Sequence, residues 1–466
     1  MPFAIPKLTL TCRRTRHGLL AGASIFLLAA CGNSESASSQ NVVAQKHCTP
    51  PAAGEDWPRA QPEEVGLDPD RLRAVVREAE IRQSGTFQIF RHGCLVADSR
   101  LDPLFGNIKR NMWSHTKTVV ALITGRAVTL GHLKVSDTVG LYFPKADTAH
   151  AAITVEQLLT QSSGLNMNWL TEFNLATSDR ARLALSLPVD HEPGTWFEYA
   201  QTPLTLLTAI VERAVGMDFQ QFAQQELFDP IGIGRDEWFW LRDRAGNTEG
   251  WAWLFSEPNN AQALLGHLML QQGVWHDRQL INHDYMRALR TPSPANPGYG
   301  YLTWLNAGER YITTGFNARI ERDRRIVPSA PADMYTSAGF HGQTSTILPG
   351  LDMVVTRTHN LADLGGPDLT PDFYAIGADF GEGYYEILRK LMLAVNDYNY
   401  QDPGPWSEPA DYAFDLGQFV NNVGVSWASL GLGPLAPGGC NLIGCDGGLS
   451  YQGTLQTIKD ILTVVP

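Results

Sequence analysis

Two predicted β-hairpins lie far apart in this chain of 466 residues, and the segment between them is mostly helical. Strand-like residues 86–90 and 94–98 form the first hairpin, and residues 345–348 and 353–358 form the second. Helices are predicted before the first hairpin, from Pro69, and after the second, over residues 382–395. This order predicts an α/β fold of the α+β kind. Its central antiparallel sheet is formed by both ends of the chain and flanked by helices, and a mostly helical domain is inserted at about residues 133–289.

Composition restricts the partners of the chain. Charged residues make up 18% and hydrophobic residues 44% of the sequence, which is typical of a globular protein. The net charge is −12, from 36 basic and 48 acidic residues, and no basic block follows the N-terminal segment. Nucleic acid is therefore not an expected partner.

Residues 1–30 are predicted to be an export signal. A basic start is followed by an apolar run over residues 18–30 that is too short to span a membrane comfortably. The run ends in Leu-Ala-Ala-Cys-Gly at Leu28–Gly32, which resembles a bacterial lipoprotein signal in which Cys31 is lipidated. Residues 31–60 then form a tether, and Gly32 after the cysteine suggests a periplasm-facing protein anchored to the outer membrane. An ordinary cleaved secretory signal is the alternative.

Four cysteines remain once the N-terminal segment is set aside, and an even number in an exported chain suggests disulfides. Three pairings are possible for Cys48, Cys94, Cys440 and Cys445. The simplest joins Cys440 to Cys445 and Cys48 to Cys94. Neither a CxxC pair nor an HExxH helix occurs, so the sequence predicts no metal and no cofactor.

Ser114 and Lys117 carry the clearest chemical signal. Three residues apart on a predicted helix, they lie on one face, so the hydroxyl and the amine can meet. The positive end of the helix dipole disfavours an ammonium group in the first turn and favours the neutral amine, which can accept a proton from serine. The alternative is a serine that caps the helix, followed by an exposed lysine.

Further segments in the same order make a family resemblance specific. They are ITVEQLLTQSSGL at 153–165, PGTWFEY at 193–199, GVW and QLI at 273–281, and GFHGQ at 339–343. Together with Ser114-x-x-Lys117, they resemble the serine β-lactamase and penicillin-binding-protein superfamily, in its class C and esterase-like branch. The resemblance spans roughly residues 61–395. Residues 396–466 form a C-terminal extension with no assigned role.

The resemblance implies a role for each matching residue. Ser114 would be the nucleophile that forms an acyl-enzyme, with Lys117 as the nearby base and Tyr199 as a second proton carrier. A phenol beside a lysine cation is expected to lose its proton more readily. The oxyanion would be bound by the backbone N–H groups of Ser114 and of Gln343, the latter on the edge strand after the third motif.

Two departures from the family pattern concern substrate binding. The family's Tyr-x-Asn is Tyr199-Ala200-Gln201 here, so the Gln201 amide would lie differently. Its Lys-Thr-Gly motif falls on Phe340-His341-Gly342, so a cation for a substrate carboxylate is missing or displaced. His341 is a candidate substitute, or a structural strand residue.

The sequence therefore predicts a serine hydrolase that cleaves an ester or amide bond of a small-molecule or peptide-like substrate. A β-lactamase or D-amino-acid peptidase of the same fold is one alternative, and a non-catalytic cell-envelope lipoprotein that retains the fold is another. An α/β-hydrolase is disfavoured, because no Gly-x-Ser-x-Gly elbow occurs.

Overall fold

A six-stranded antiparallel sheet forms the centre of the fold in the computed structural model, which describes residues 45–82, 84–166, 177–313, 320–359, 380–407, 430, 432, 436–448 and 451–464. Its strands are β1 (Ser84–Arg91), β2 (Cys94–Asp98), β8 (Trp304–Leu305), β11 (Tyr335–Gly339), β12 (Gln343–Leu348) and β13 (Met353–His359). They lie side by side in the order β2-β1-β13-β12-β11-β8. The predicted hairpins are therefore β1–β2 and β12–β13.

The pairing of β1 with β13 brings the two distant hairpins together. Their register runs from Ser84 opposite His359 to Arg91 opposite Met353, with an irregularity between Ser84 and Thr86. Every residue of both strands is buried, as expected for neighbouring strands covered on both faces. The predicted fold class, with a sheet built from both ends of the chain, is confirmed.

Two helices that flank the hairpins in sequence pack against each other. They are α1 (Pro69–Ile81) and α13 (Glu382–Ala394). Asp68 caps α1, because its carboxylate accepts hydrogen bonds from the backbone N–H groups of Asp70 and Arg71, each at 2.9 Å. Pro69 occupies the first turn, where its missing N–H group is not needed.

The middle of the chain is mostly helical and also carries short strands. The helices are α2 (Asp102–Phe105), α3 (His115–Thr129), α4 (Val139–Tyr142), α5 (Thr148–Ala152), α6 (Val155–Leu159), α7 (Arg180–Ala184), α8 (Thr202–Val215), α9 (Phe219–Ala223), α10 (Asp229–Ile231), α11 (Ala263–Leu270) and α12 (His283–Leu289). The strands are β3 (Arg110–Asn111), β4 (Trp238–Trp240), β5 (Leu254–Ser256), β6 (Val274–Trp275), β7 (Arg278–Gln279), β9 (Tyr311–Ile312) and β10 (Glu321–Arg322). Strands β3, β5 and β4 form a separate small sheet, so this region is not purely helical.

Helix α3 runs through the interior. Every residue from His115 to Ala127 is buried, whereas apolar periodicity alone predicts one buried face. The helix is surrounded because it packs against β11 and against helices of the middle region, including α8 and α12. It ends at Thr129, and Gly131 follows with φ of +80°, as expected for a glycine that stops a helix.

Two disulfides are present, in the simplest of the possible pairings. Cys48 is bonded to Cys94, and this link ties the segment before α1 to the start of β2. Cys440 is bonded to Cys445 within a short loop near the end of the chain. The sequence leaves residues from 396 onward without an assignment, and the residues described there include the helix α14 (Gln452–Val464).

The predicted signal segment and Cys31 lie outside the described residues. Within the part of the chain that the structure describes, no helix has both the length and the apolar character needed to cross a bilayer.

Candidate active site

Ser114 lies immediately before α3, with its side chain partly exposed. Its backbone is already helical (φ −67°, ψ −11°), and its hydroxyl makes no capping hydrogen bond to the helix. The hydroxyl is therefore not used to cap the helix and remains available for chemistry. The preceding residue, Trp113, has a φ of +48°, a left-handed conformation that is unusual for a large side chain.

Lys117 meets Ser114 as the spacing predicts. Its Nζ donates a hydrogen bond of 2.8 Å to Ser114 Oγ and a second of 3.0 Å to the backbone carbonyl of Trp251. The side chain is fully buried. An exposed lysine after a capping serine is therefore excluded. The contact places a potential base directly on the nucleophile.

Tyr199 completes this group of side chains. Lys117 Nζ lies 4.7 Å from the centre of the Tyr199 ring, so the amine and the phenol are close neighbours. Burial raises the pKa of Tyr199 to about 12, although hydrogen bonds with the side chains of Ser114 and Trp304 oppose the shift. The expectation that lysine makes this phenol acidic is therefore wrong, because desolvation dominates. Tyr199 is a neutral hydroxyl near pH 7.

A buried ion pair supports the carbonyl that binds Lys117. Glu249 accepts hydrogen bonds from the Trp251 indole N–H at 2.7 Å and from the Thr205 hydroxyl at 3.1 Å. Arg180 Nε lies 2.9 Å from the same carboxylate oxygen, and both side chains are almost fully buried. The Arg180–Glu249 pair therefore holds the indole of the residue whose carbonyl accepts the hydrogen bond from Lys117.

Asn111 links the Ser114 turn to the segment that carries Trp251. Its side-chain oxygen accepts hydrogen bonds from the backbone N–H of Trp113 at 2.9 Å and from that of Trp253 at 3.2 Å. Both tryptophans have positive φ angles, of +48° and +67°. A single side chain therefore stabilises two unusual backbone conformations beside the nucleophile.

The third motif differs from its prediction. Phe340–Gly342 form a 3₁₀ turn, so His341, with a φ of +61°, is not a strand residue. Strand β12, which follows this turn, lies between β13 and β11 and is not an edge strand. Gln343, the predicted second oxyanion donor, is the first residue of β12 and pairs with Gly339. The backbone that lies against the Ser114 turn is that of Gly339, where a Cβ would approach the Met112 carbonyl oxygen to 2.3 Å. The end of β11 therefore lies directly against the turn that carries Ser114.

The predicted substrate-binding residues have different surroundings. Gln201 is buried and immediately precedes α8. Gly342 lies against the Arg357 guanidinium, since a Cβ there would be 2.2 Å from Nη1. That guanidinium donates to the Ser84 hydroxyl and to the Arg82 carbonyl, each at 2.8 Å.

Partly exposed aromatic rings pack around Trp113, the residue that precedes Ser114. The Trp113 ring centre lies 5.1 Å from that of Trp253 and 5.5 Å from that of Phe340, and all three side chains are partly exposed. The His341 ring lies 5.9 Å from the Trp113 ring. Elsewhere in the chain, Trp304 packs on Tyr199 and Trp196 stacks on His191.

Residues 109–367, more than half of the chain, match the family model described as Beta-lactamase. The chain belongs to the beta-lactamase family. A solved relative from Bacteroides dorei DSM 17855, provisionally designated a beta-lactamase, superposes with a TM-score of 0.54 at 16% identity, covering 70% of this chain and 99% of that one. The beta-lactamase and transpeptidase-like fold is thereby established.

Curated relatives of this beta-lactamase family member match shorter stretches. A beta-lactamase of Escherichia coli K12 is 25% identical over 145 residues, which cover 31% of this chain and 38% of the relative. Lovastatin esterase of Penicillium rubens is 28% identical over 107 residues, which cover 21% of this chain and 27% of that enzyme. The chain thus spans well under two thirds of the length of either relative.

Three parts of this beta-lactamase-family site have no sequence motif. The Trp251 group that binds Lys117 is a backbone carbonyl, which every residue type has, so the sequence cannot single it out. The Trp-x-Trp pattern at 251–253 is the one local signal. Asn111 acts through its side-chain oxygen, three residues before Ser114. Arg180 and Glu249 are far apart in sequence and meet only in the folded chain.

Proposed function

We propose that this protein is a serine hydrolase that cleaves an ester or amide bond through an acyl-enzyme on Ser114. The observation that carries the proposal is the 2.8 Å hydrogen bond from Lys117 Nζ to Ser114 Oγ. Burial of the amine removes the water that would solvate its ammonium form, so a neutral amine can act as the base. Membership of the beta-lactamase family supports the same reaction class.

The reaction proceeds in two steps. Ser114 Oγ attacks the substrate carbonyl carbon while its proton passes to Lys117 Nζ, and a tetrahedral oxyanion forms. The bond to the leaving alcohol or amine then breaks, the leaving group takes up a proton, and Ser114 is left acylated. Water attacks the acyl-enzyme with the same base, which releases the acid and regenerates the serine hydroxyl.

In this scheme Tyr199 acts as a proton donor, because a protonated phenol cannot serve as a base as a phenolate would. Because its pKa is raised to about 12, the phenol keeps its proton near neutral pH. It is hydrogen-bonded to the Ser114 side chain. We assign it the transfer of its proton to the departing group, after which the ammonium form of Lys117, which took the proton from Ser114, returns a proton to the phenolate. The two oxyanion donors, the backbone N–H groups of Ser114 and Gln343, stay predictions.

The surroundings of Ser114 favour an apolar acyl group. The ring of Trp113, which precedes Ser114, packs near the rings of Trp253 and Phe340, and all three side chains are partly exposed. Phe340 stands where the family's Lys-Thr-Gly motif has its lysine, and the neighbouring His341 is the candidate substitute for that cation. A substrate without a carboxylate suits such a site better than a penicillin does. The similarity to an esterase supports ester cleavage, with β-lactam or D-peptide cleavage as the alternative.

A nitrophenyl ester of a short fatty acid tests the reaction. Ser114→Ala is expected to reduce hydrolysis to the uncatalysed rate, and Lys117→Met is expected to reduce kcat by about 10²–10⁴-fold. Ser136→Ala, which alters an exposed serine, is the matched control and should retain the wild-type rate. A fluorophosphonate probe should label Ser114 alone. Equal hydrolysis by wild type and Ser114→Ala would contradict the proposal and favour a non-catalytic envelope protein.

We also propose that the protein is a lipoprotein of the cell envelope, anchored through Cys31. The Leu28–Gly32 segment after a basic start and an apolar run supports this. Cys31→Ala is expected to move the protein from the membrane fraction to the soluble fraction without loss of esterase activity. Unchanged partitioning of that variant would contradict the lipid anchor.

A further inference from the structure

Three separate segments meet at one end of the main sheet. They are the arm around His47 and Cys48, the β1–β2 turn with His92, and the β12–β13 turn with Asp352. The Cys48 N–H donates to the His92 carbonyl at 2.8 Å, and the His92 N–H donates to the Asp352 carbonyl at 2.9 Å. These two backbone hydrogen bonds therefore hold the three segments against one another.

Gly93 allows the arm to approach this closely. A Cβ at Gly93 would lie 2.0 Å from the Cys48 carbonyl oxygen, and its φ of +74° is one that glycine adopts without strain. The Cys48–Cys94 disulfide fixes the same contact covalently. The arrangement of the three segments is thus built into the fold.

The side chains of these segments converge. One potential ligand atom from each of His47, His92 and Asp352 lies within 4.8 Å of the others. His92 Nδ1 is 2.9 Å from Asp352 Oδ2, and the ring centres of His47 and His92 are 4.5 Å apart. His47 is exposed, so an ion from solvent has access to the cluster.

One atom of the cluster lacks the partner that a buried polar group normally has. His92 is only 8% exposed, and its Nε2 is buried without a hydrogen-bond partner among the described residues. If Nδ1–H donates to the Asp352 carboxylate, Nε2 carries a lone pair. A histidine whose other nitrogen is held by a carboxylate is the usual arrangement of a metal ligand.

We propose that this cluster binds a zinc ion. The imidazole nitrogens of His47 and His92 would ligate it, and Asp352 would orient His92 and supply negative charge. Imidazole nitrogens favour zinc over magnesium or calcium, which prefer oxygen ligands. Cys48 and Cys94 are bonded to each other, so no thiolate enters the set from this end of the sheet.

Together with the Cys48–Cys94 disulfide, the ion would hold the arm around His47 against the β1–β2 turn. A nitrogen–nitrogen distance of about 3.3 Å suits tetrahedral zinc, and a rotation of the exposed His47 side chain can supply it. Strand β12 separates this end of the sheet from the turn at Phe340–Gly342, and its six residues span about 20 Å. Zinc at this site should therefore leave hydrolysis at Ser114 unchanged.

Zinc titration of the purified, chelator-treated protein tests the proposal, with a chromophoric chelator as competitor. We expect one zinc ion per chain, a rise in Tm with zinc, and no such rise with magnesium. His47→Ala should abolish the rise in Tm. Asp352→Asn should weaken binding about 10–100-fold, as loss of an orienting carboxylate does. Asparagine tolerates the left-handed φ of +48° at this position, so that variant should fold.

His283→Ala is the matched control, because His283 is an exposed histidine beside the carboxylate of Asp284 but belongs to no such cluster. It should bind zinc as the wild type does. Absence of stoichiometric zinc in the wild type, or equal binding by wild type, His47→Ala and Asp352→Asn, would overturn the proposal. Far-UV circular dichroism and the zinc-free Tm of His47→Ala, measured in parallel, show whether the variant is folded and keep this test independent of the function proposed for Ser114.

Discussion

Glu249→Gln should be among the most damaging single substitutions in this protein. Glu249 is 2% exposed in its side chain and Arg180 is 0% exposed, and Arg180 Nε lies 2.9 Å from the carboxylate. The substitution removes the negative charge but keeps the size of the side chain. The Arg180 guanidinium would then be buried without its counter-charge, which typically costs about 3–5 kcal/mol of unfolding free energy.

A solvent-exposed pair in the same chain provides the comparison. Arg325 and Glu309 lie 2.8 Å apart, with side-chain exposures of 31% and 83%. Glu309→Gln should lower the unfolding free energy by less than about 1 kcal/mol, because water screens the pair and solvates either residue alone. Urea unfolding followed by tryptophan fluorescence measures both variants against the wild type.

A double-mutant cycle measures the interaction energy between Arg180 and Glu249. Arg180→Met and Glu249→Gln remove the same interaction, so the double variant should be less destabilised than the sum of the single variants by about 1–3 kcal/mol. If Glu249→Gln lowers the unfolding free energy by less than about 1 kcal/mol, or if the two single effects add exactly, then the buried Arg180 charge does not depend on the Glu249 carboxylate. Folded Glu249→Gln should also hydrolyse esters more slowly, because Glu249 holds the residue whose carbonyl binds Lys117.

Two further predictions concern stability. Burial raises the pKa of Asp102 to about 7, from about 4 in an unfolded chain, so its contribution to stability is present below pH 4 and is lost as pH rises through 7. In urea unfolding, the unfolding free energy of Asp102→Asn relative to that of the wild type should therefore rise by on the order of 2 kcal/mol between pH 5 and pH 8. A difference that does not change with pH would contradict this. Replacing Cys48 and Cys94, 46 residues apart, should cost about 4 kcal/mol, against about 2 kcal/mol for Cys440 and Cys445, five residues apart. Unfolding of the two paired alanine variants tests that order, and equal losses would argue against loop closure as its cause.

Local sequence signals predict the elements of the sheet well. The first hairpin is fixed by alternating apolar residues and a His-Gly turn, and α1 by its Asp68-Pro69 start. The mutual contact of Ser114 and Lys117 follows from helix geometry alone. These features depend on residues close together in sequence, where the chain's own geometry decides the outcome.

Features that depend on distant residues are predicted less well. The neutral state of Tyr199 reflects its complete burial beside Trp304, which no local pattern shows. The 3₁₀ turn at Phe340–Gly342 replaces the predicted strand because His341 takes a left-handed conformation between β11 and β12. Burial of α3 on every side likewise reflects packing from both parts of the chain.

The complete burial of Lys117 also affects how this protein can be handled in the laboratory. Reagents that acylate amines reach Lys46, Lys134, Lys145 and Lys459, which are exposed. They have no route to Lys117, whose amine is enclosed by Ser114, Trp251 and Tyr199. Attachment of a surface or a dye through the exposed lysines should therefore leave the Lys117 amine unmodified.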